Sequence, residues 1–445
     1  MKNGEFFDIK FLFAITIPFL LMAYVQTHSV FLLILAFGLV VVNIAYPFVL
    51  LPSAFVTSLS TEYFKTTGGA SLTPMFQLIL IVSFLLSTKT DEYRRSGKIL
   101  LYVIVFIFYN LVSCAFSVTG SFETFFLTLF YFGILFFMYI KRNVDVGFVY
   151  RTLSVSCLLF SFFLLFSFLT GGMEMAVGND SENRLTFGDI NANRYGMLCT
   201  VVASVLIYSF FCEKNFSYKL TCLSGSFITI FIIILTGSRT ALFAFVGGFF
   251  FALWFFVFRN KKDKGKYAVA MMIVLLAFII IGIDYLTKAD LPILERFELQ
   301  SVIESGGTGR SNRVEYLYTR VFPNNYLWGI GLGGENEYAV SEGPCHNIIL
   351  DPLVQIGLFG FLLYWSFLLP LIIKCYKSVR NNSVNFFPFL LFVTVFINGM
   401  GEVIFFERHF WLIISLCALY TNNCTPSVKS LRSKYMSVKN KIVSA

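Results

Sequence analysis

Charge is what this chain has least of. Only 13% of its 445 residues are Asp, Glu, Lys or Arg, while 57% are hydrophobic. A soluble domain carries about 25% charged residues, so the deficit excludes an ordinary water-facing surface. Histidine is scarce too, with three in the chain; His346 lies in a loop with no second His or paired Cys and is a poor metal site. The nine cysteines are scattered, no CxxC spacing occurs, and only Cys345 lies in a long polar loop. That excludes a disulfide framework and a zinc ribbon. There is no internal repeat and no low-complexity linker. The N-terminus lacks a small-residue cleavage site, so its first apolar run is expected to stay as a helix.

What is present is long apolar runs, with 56 Phe among them. Stretches of roughly 20 apolar residues are the mark of membrane-spanning helices. Spans are predicted near 10–26, 29–51, 74–87, 99–118, 121–140, 148–170, 194–212, 219–236, 239–258, 267–286, 347–373, 384–400 and 409–420. The expected fold is an all-α polytopic membrane protein of about 12–14 helices, a single transmembrane domain over 1–445. A large loop, 287–346, is inserted between spans, and a basic tail covers 421–445.

The net charge of +9 orients the chain and calls for no nucleic acid. Lys89, Arg94, Arg95 and Lys98 follow the third span; Lys141, Arg142 and Arg151 the fifth; Lys214 and Lys219 the seventh. Arg259 to Lys266 follow the ninth, Lys374 to Arg380 the eleventh, and the tail adds Lys429 to Lys441. Alternate loops are therefore basic, which places them in the cytoplasm. Thirteen spans then leave the N-terminus outside despite Lys2 and Lys10. A miscount is expected near 29–73, where Pro47, Pro52 and Pro74 break the pattern.

Several residues on the outer side could carry chemistry. Gly237-Ser238-Arg239-Thr240 separates two apolar runs and leaves room for only a tight turn. Ser238 can cap the helix that Arg239 begins. The positive helix end and the guanidinium would then face the same phosphate; an Arg snorkelling to lipid headgroups reads equally well. Arg310, Arg313 and Arg320 fall on one helical face after Gly306-Gly307-Thr308-Gly309, suited to phosphate or to a solvated face balanced by Glu304 and Glu315. His346, followed by Asn347, can serve as a general base or as a polar helix-start residue. Asn191, Asn193 and Arg194 open the seventh span as caps or as partners for sugar hydroxyls. Glu402, Glu407, Arg408 and His409 cluster at the last outer turn, read as an ion pair locking two helices. Gly329-Ile330-Gly331-Leu332-Gly333-Gly334 follows no strand and reads as a flexible turn. The loop 287–346 is net acidic, so an anion site in it must be built from particular residues.

Taken together, these motifs resemble the bacterial O-antigen ligase/polymerase superfamily. The resemblance rests on Asn191 to Gly196, Ser238-Arg239-Thr240-Ala241-Leu242, Arg310 to Tyr316 and Pro323 to Gly331. It continues through His346-Asn347-Ile348-Ile349-Leu350 and Gln355 to Gly360. Residues 1–180 resemble the family only in being membrane helices. The resemblance implies a GT-C-like, metal-independent glycosyltransferase without cofactor, in the bacterial inner membrane, acting at its outer, periplasmic face. Its substrate would be an undecaprenyl-diphosphate-linked glycan, with a chain-length regulator and a flippase as partner proteins. By that analogy Arg239 and one loop arginine bind the diphosphate; Arg313-Val314-Glu315 and Gly309-Arg310 each fit the family pattern. His346 would activate the acceptor hydroxyl, with inversion at the anomeric carbon. Ser238, Asn193, Asn347, Arg320 and Arg194 would contact substrate. Polymerisation of repeat units is the leading expectation, transfer of finished polymer to lipid A–core the alternative, and a flippase or transporter the third.

Overall fold

The structure, a computed structural model, describes residues 9–59, 64, 71–94, 97–116, 122–172, 174–177, 183–186, 192–259, 280, 315–316, 319–320, 322–333, 346–381, 386–402, 404–405 and 407–424. Within them the helices are α1 (Ile9–Thr27), α2 (Val30–Val42), α3 (Pro47–Leu59), α4 (Leu72–Ser87), the short α5 (Thr90–Arg94), α6 (Gly97–Phe116), α7 (Phe122–Ile140) and α8 (Val146–Leu169). A two-stranded antiparallel hairpin follows, β1 (Glu174–Val177) with β2 (Asn183–Thr186), Glu174 facing Thr186. Then come α9 (Ala192–Cys212), α10 (Phe216–Leu235), α11 (Arg239–Arg259), the single turn α12 (Phe322–Asn325), α13 (Leu350–Asn381), α14 (Phe386–Asn398) and α15 (Arg408–Cys424). Six of these helices are long and apolar enough to cross a membrane. The protein is a polytopic α-helical membrane protein; the hairpin is the one departure from an all-α expectation among the described residues.

The predicted spans match the helices closely, with one correction. The run 29–51 is two helices. Asn43 ends α2, its N–H returning to Leu39 and Val40 carbonyls and its Nδ2 to Leu39 (2.9 Å). Pro47 then starts α3, because proline fits a first helical position and disfavours helix at the residue before it. This extra reversal brings Lys10 to the end that holds Lys89, Lys141 and Arg142, which border one cavity. The parity problem disappears. The expected span 267–286, most of loop 287–346 and the tail beyond 424 lie outside the described residues.

Burial sorts the helices. Every α3 residue except Phe48 is buried, so α3 is an inner helix wrapped by α1, α4 and α8. α9 is buried from Tyr195 to Ser209 and packs on α8, α10, α11 and α14. By contrast Phe31, Phe108, Phe243, Trp254 and Leu362 are exposed, as lipid-facing side chains should be. Some buried hydroxyls pair across helices: Ser154 lies 2.6 Å from Ser209 Oγ and 2.8 Å from Tyr218 Oη, and Ser204 lies 3.1 Å from Thr394. In an apolar medium an unmet hydroxyl would be costly.

α15 runs from one end of the bundle to the other, about 25 Å at 1.5 Å per residue. Near its start, Glu407 pairs with Arg194 of α9. Near its finish, the Asn422 carbonyl accepts from Arg142 Nη1 (3.2 Å) and Tyr420 Oη donates to the Val146 carbonyl (2.9 Å). The bundle thus has a basic end and an opposite, acid-and-histidine end.

At the basic end Glu92 joins α5 to the α7–α8 turn. It accepts from Lys141 Nζ (3.1 Å) and from the N–H groups of Lys89 (3.1 Å) and Arg142 (3.2 Å). Burial works against its charge, but these donors prevail and hold the carboxyl below its ordinary range. A depressed acid stabilises the fold above its unfolded pKa and loses that contribution as pH falls through the folded value. Glu92→Gln should therefore lower the melting temperature at neutral pH. The gap to wild type should close as pH falls below 4.5, the ordinary value. Melting curves across that range check it; a gap that persists unchanged into acid would refute the assignment.

Candidate functional site

The turn between α10 and α11 fits the sequence expectation. Ser238 is buried and its Oγ accepts from the Ala241 N–H (3.3 Å), capping α11. Thr236 Oγ1 donates to the Ile233 carbonyl (2.6 Å), closing α10. Arg239 is the first residue of α11 and is half-buried. The turn packs directly on α9: a Cβ at Gly196 would stand 2.8 Å from Thr236 Oγ1 and 2.9 Å from Ala241 Cβ. Thr200 Oγ1 reinforces the contact, lying 2.8 Å from the Gly196 carbonyl and 3.3 Å from that of Ala241. The Asn193-Arg194-Tyr195-Gly196 segment and the Ser238-Arg239 turn, far apart in sequence, are therefore one surface.

Arg194 extends from that surface and forms an ion pair with Glu407. Half of its side chain remains exposed, against 13% for Glu407. The second Glu407 oxygen lies 3.7 Å from Nδ1 of His409, which is fully buried. The ion pair expected at the last outer turn is present and ties α15 to α9.

Glu402 faces His346, with Oε2 3.5 Å from Nδ1 and both side chains largely shielded. His346 has φ 55°, a left-handed conformation that non-glycine residues adopt infrequently. What holds it there is the segment that follows. Asn347 Oδ1 accepts from the Ile349 (2.9 Å) and Leu350 (3.2 Å) N–H groups, and Asp351 Oδ2 accepts from the Asn347 N–H (2.9 Å). The Ile348 N–H donates to the Gly399 carbonyl (2.6 Å), joining the His346 segment to the 399–402 turn. The contact between His346 and Glu402 is one of proximity alone, because Nδ1 is buried and has no hydrogen-bond partner. The amide oxygen of Asn347, expected to touch substrate, is committed to capping α13.

Two buried polar residues here escaped the sequence reading. Asp351 is fully buried; a lone carboxylate one turn into an apolar span was the available signal. Asn398 is fully buried at the end of α14, and neither atom of its amide has a hydrogen-bond partner. No sequence pattern marks it. Asn193 sits half-buried in the first turn of α9. Arg320 is exposed, and Asn324 Nδ2 reaches its carbonyl at 3.4 Å. Asn191, Arg310 and Arg313 lie outside the described residues. Among the described residues no three His, Cys, Asp or Glu side chains converge on a point that a metal ion could occupy.

The glycine-rich stretch is not a flexible turn. α13 breaks at Gly357 (φ 63°, ψ −176°), and residues 326–331 fill the break. The Ile330 and Gly331 N–H groups donate to the Val354 (3.1 Å) and Gln355 (2.9 Å) carbonyls. The Leu358 and Phe359 N–H groups donate to Tyr326 (2.7 Å) and Leu327 (3.2 Å). Tyr109 Oη donates to the Ile356 carbonyl (2.5 Å). Backbone groups freed by a break must find partners when no water is at hand, and here the loop supplies them. The clasp thereby fixes this part of the outer loop beside α13, which His346 and Asn347 precede.

Residues 224–365 match the family model described as O-antigen ligase, a shorter stretch than the motifs had suggested. It runs from within α10 through α11 and the outer loop to Trp365 of α13, and so contains Arg239, Arg310, Arg313, Arg320 and His346, but neither Arg194 nor Glu402. No curated protein matches the chain. The matched segment is the one that brings the Ser238-Arg239 turn and His346 to the same end of the bundle, and over those residues the chain is similar to the O-antigen ligase family.

Proposed function

We propose that the protein transfers a glycan from an undecaprenyl-diphosphate carrier to an acceptor hydroxyl at the end of the bundle that carries His346, Glu402 and Arg239. The observation that supports this reading most is the His346–Glu402 pair on the same end as the capped Arg239 turn. In the proposed step His346 Nε2 takes the acceptor proton as the acceptor oxygen attacks the anomeric carbon. The bond from that carbon to the diphosphate oxygen breaks, and its electron pair leaves with the diphosphate. Inversion follows from attack opposite the leaving group. Arg239 and an arginine of the outer loop, Arg310 or Arg313, balance the charge that develops there. The positive end of α11 adds to that balance. Glu402, 3.5 Å from Nδ1, positions the imidazole.

Transfer onto lipid A–core or a comparable acceptor is the leading reading, because the matching family model is described as a ligase. Polymerisation uses the same donor chemistry with a second lipid-linked repeat as acceptor, and is the alternative. A flippase is disfavoured: among the described residues the buried Lys, Asp and Glu side chains, Lys141, Asp351 and Glu402, lie at or beyond helix ends rather than at mid-span. The basic end faces the cytoplasm on this reading, and the active end faces the periplasm of a bacterial inner membrane.

The test supplies purified protein with a lipid-diphosphate glycan and, separately, lipid A–core or a second repeat unit. Glycosylated lipid A–core with released undecaprenyl diphosphate is the expected result. Arg239→Ala should reduce it by about 10²–10³-fold, as loss of one oxyanion donor does. A ladder on the carrier would establish the polymerase instead. Trans-bilayer flux of the glycan without transfer to either acceptor would overturn both.

A further inference from the structure

The basic end of the bundle holds a second site. A cavity of about 680 Å³ opens there, between the start of α1, the α2–α3 turn, α5 and the α7–α8 turn. Lys10, Lys89, Lys141 and Arg142 border it, with Asp91, Glu92 and Asp145. Two of the three carboxylates are already engaged. Glu92 is balanced by Lys141 and held by two backbone N–H groups. Asp145 Oδ1 accepts from the Gly147 (2.9 Å) and Phe148 (3.0 Å) N–H groups to cap α8. With Lys141 and Glu92 paired, three cations, Lys10, Lys89 and Arg142, stand against two carboxylates, Asp91 and Asp145. The N-terminus of α3 points the same way: Tyr46, Pro47, Phe48 and Val49 all line the cavity, and a helix start attracts anions. Lys10 Nζ lies 4.2 Å over the Tyr46 ring, so the charge is held at the cavity wall. Apolar skin reaches its mouth, since Ile9, Val41, Val42 and Tyr46 are exposed beside it.

We propose that this cavity binds the phosphate headgroup of an anionic phospholipid from the adjoining leaflet, with the acyl chains lying along the exposed apolar faces of α1 and α2. The shared chemistry, a phosphate against Lys10, Lys89, Arg142 and the α3 N-terminus, would also suit a soluble phosphate. The apolar border is what favours the lipid. The site lies at the opposite end of the bundle from His346 and does not depend on the reaction proposed there.

Purified full-length protein in neutral detergent is given equimolar phosphatidylglycerol and phosphatidylcholine, and retained lipid is read by native mass spectrometry. Wild type should retain phosphatidylglycerol in preference. The Lys10→Gln/Lys89→Gln pair should weaken that retention by roughly tenfold or more, each surface cation contributing to the attraction. Lys374→Gln/Lys377→Gln, basic residues late in α13 and outside the cavity, should leave it unchanged. Equal retention of the two lipids would overturn the proposal, as would equal losses in both variant pairs. Displacement of the lipid by millimolar inorganic phosphate, with the same dependence on Lys10 and Lys89, would make a soluble anion the ligand and overturn the assignment to lipid.

Discussion

His346→Ala should lower kcat by about 10²–10⁴-fold, the range a positioned general base supplies, with KM for the lipid-linked donor little changed. Nothing in the proposed step has the imidazole hold the diphosphate, so binding should survive. Added imidazole should restore part of the turnover, because a small base can occupy the space the side chain vacates. Glu402→Gln should lower kcat by less than the loss of His346, again without a KM effect. It keeps the shape of the side chain but removes the charge 3.5 Å from Nδ1. The two variants together should cost little more than His346→Ala alone, since residues acting as a unit are not additive. Independent, multiplying losses would show that Glu402 acts through something other than the histidine. Unchanged turnover in a folded His346→Ala protein would remove the base from the mechanism altogether.

Gly357→Ala should be the most damaging single change to the fold. At φ 63° and ψ −176° the backbone occupies a region essentially reserved for glycine, costing about 1–3 kcal/mol for other residues. A Cβ there would also collide with the backbone of Leu327 and Gly329, and a Cβ at Gly329 (φ 76°) would collide with Gln355 and Gly357. Neither partner is a side chain that can swing aside. The clasp should open, lowering the melting temperature and changing the environment of Trp328, which stacks on Tyr109 with ring centroids 6.1 Å apart. Gly38→Ala in α2 is the control: an added Cβ meets nothing within 4 Å. Equal melting temperatures and unshifted tryptophan emission for Gly357→Ala and Gly38→Ala would show that the break does not depend on the glycine pair.

The helices were legible because hydropathy is a local property. A chain that must bury its own backbone hydrogen bonds in lipid has only the helix available within each span, so run length alone set most boundaries to within a few residues. The split at Asn43–Tyr46 was less visible, because the apolar pattern continues across it while the proline acts through backbone geometry. Ser238 was readable as a cap for the same local reason: its oxygen serves an N–H three residues on.

The pairings across the bundle were not readable. Glu402 and Glu407 sit five residues apart in one turn, yet one faces His346 and the other Arg194. Which goes where depends on how α9, α13 and α15 pack, and sequence distance carries no record of that. The glycine-rich stretch looked like slack chain because its partners, the groups freed at Gly357, belong to a helix that appears unbroken in its apolar pattern. By itself the sequence determined that this is a polytopic membrane protein, where most of the described helices run, which loops are basic and which motifs to compare. Only the tertiary structure decided that the Arg239 turn lies on Gly196, that Glu402 stands behind His346, and that a broken helix is closed by the outer loop. Those contacts follow from three-dimensional packing, in which residues far apart in the chain share one volume and must satisfy one another's hydrogen bonds.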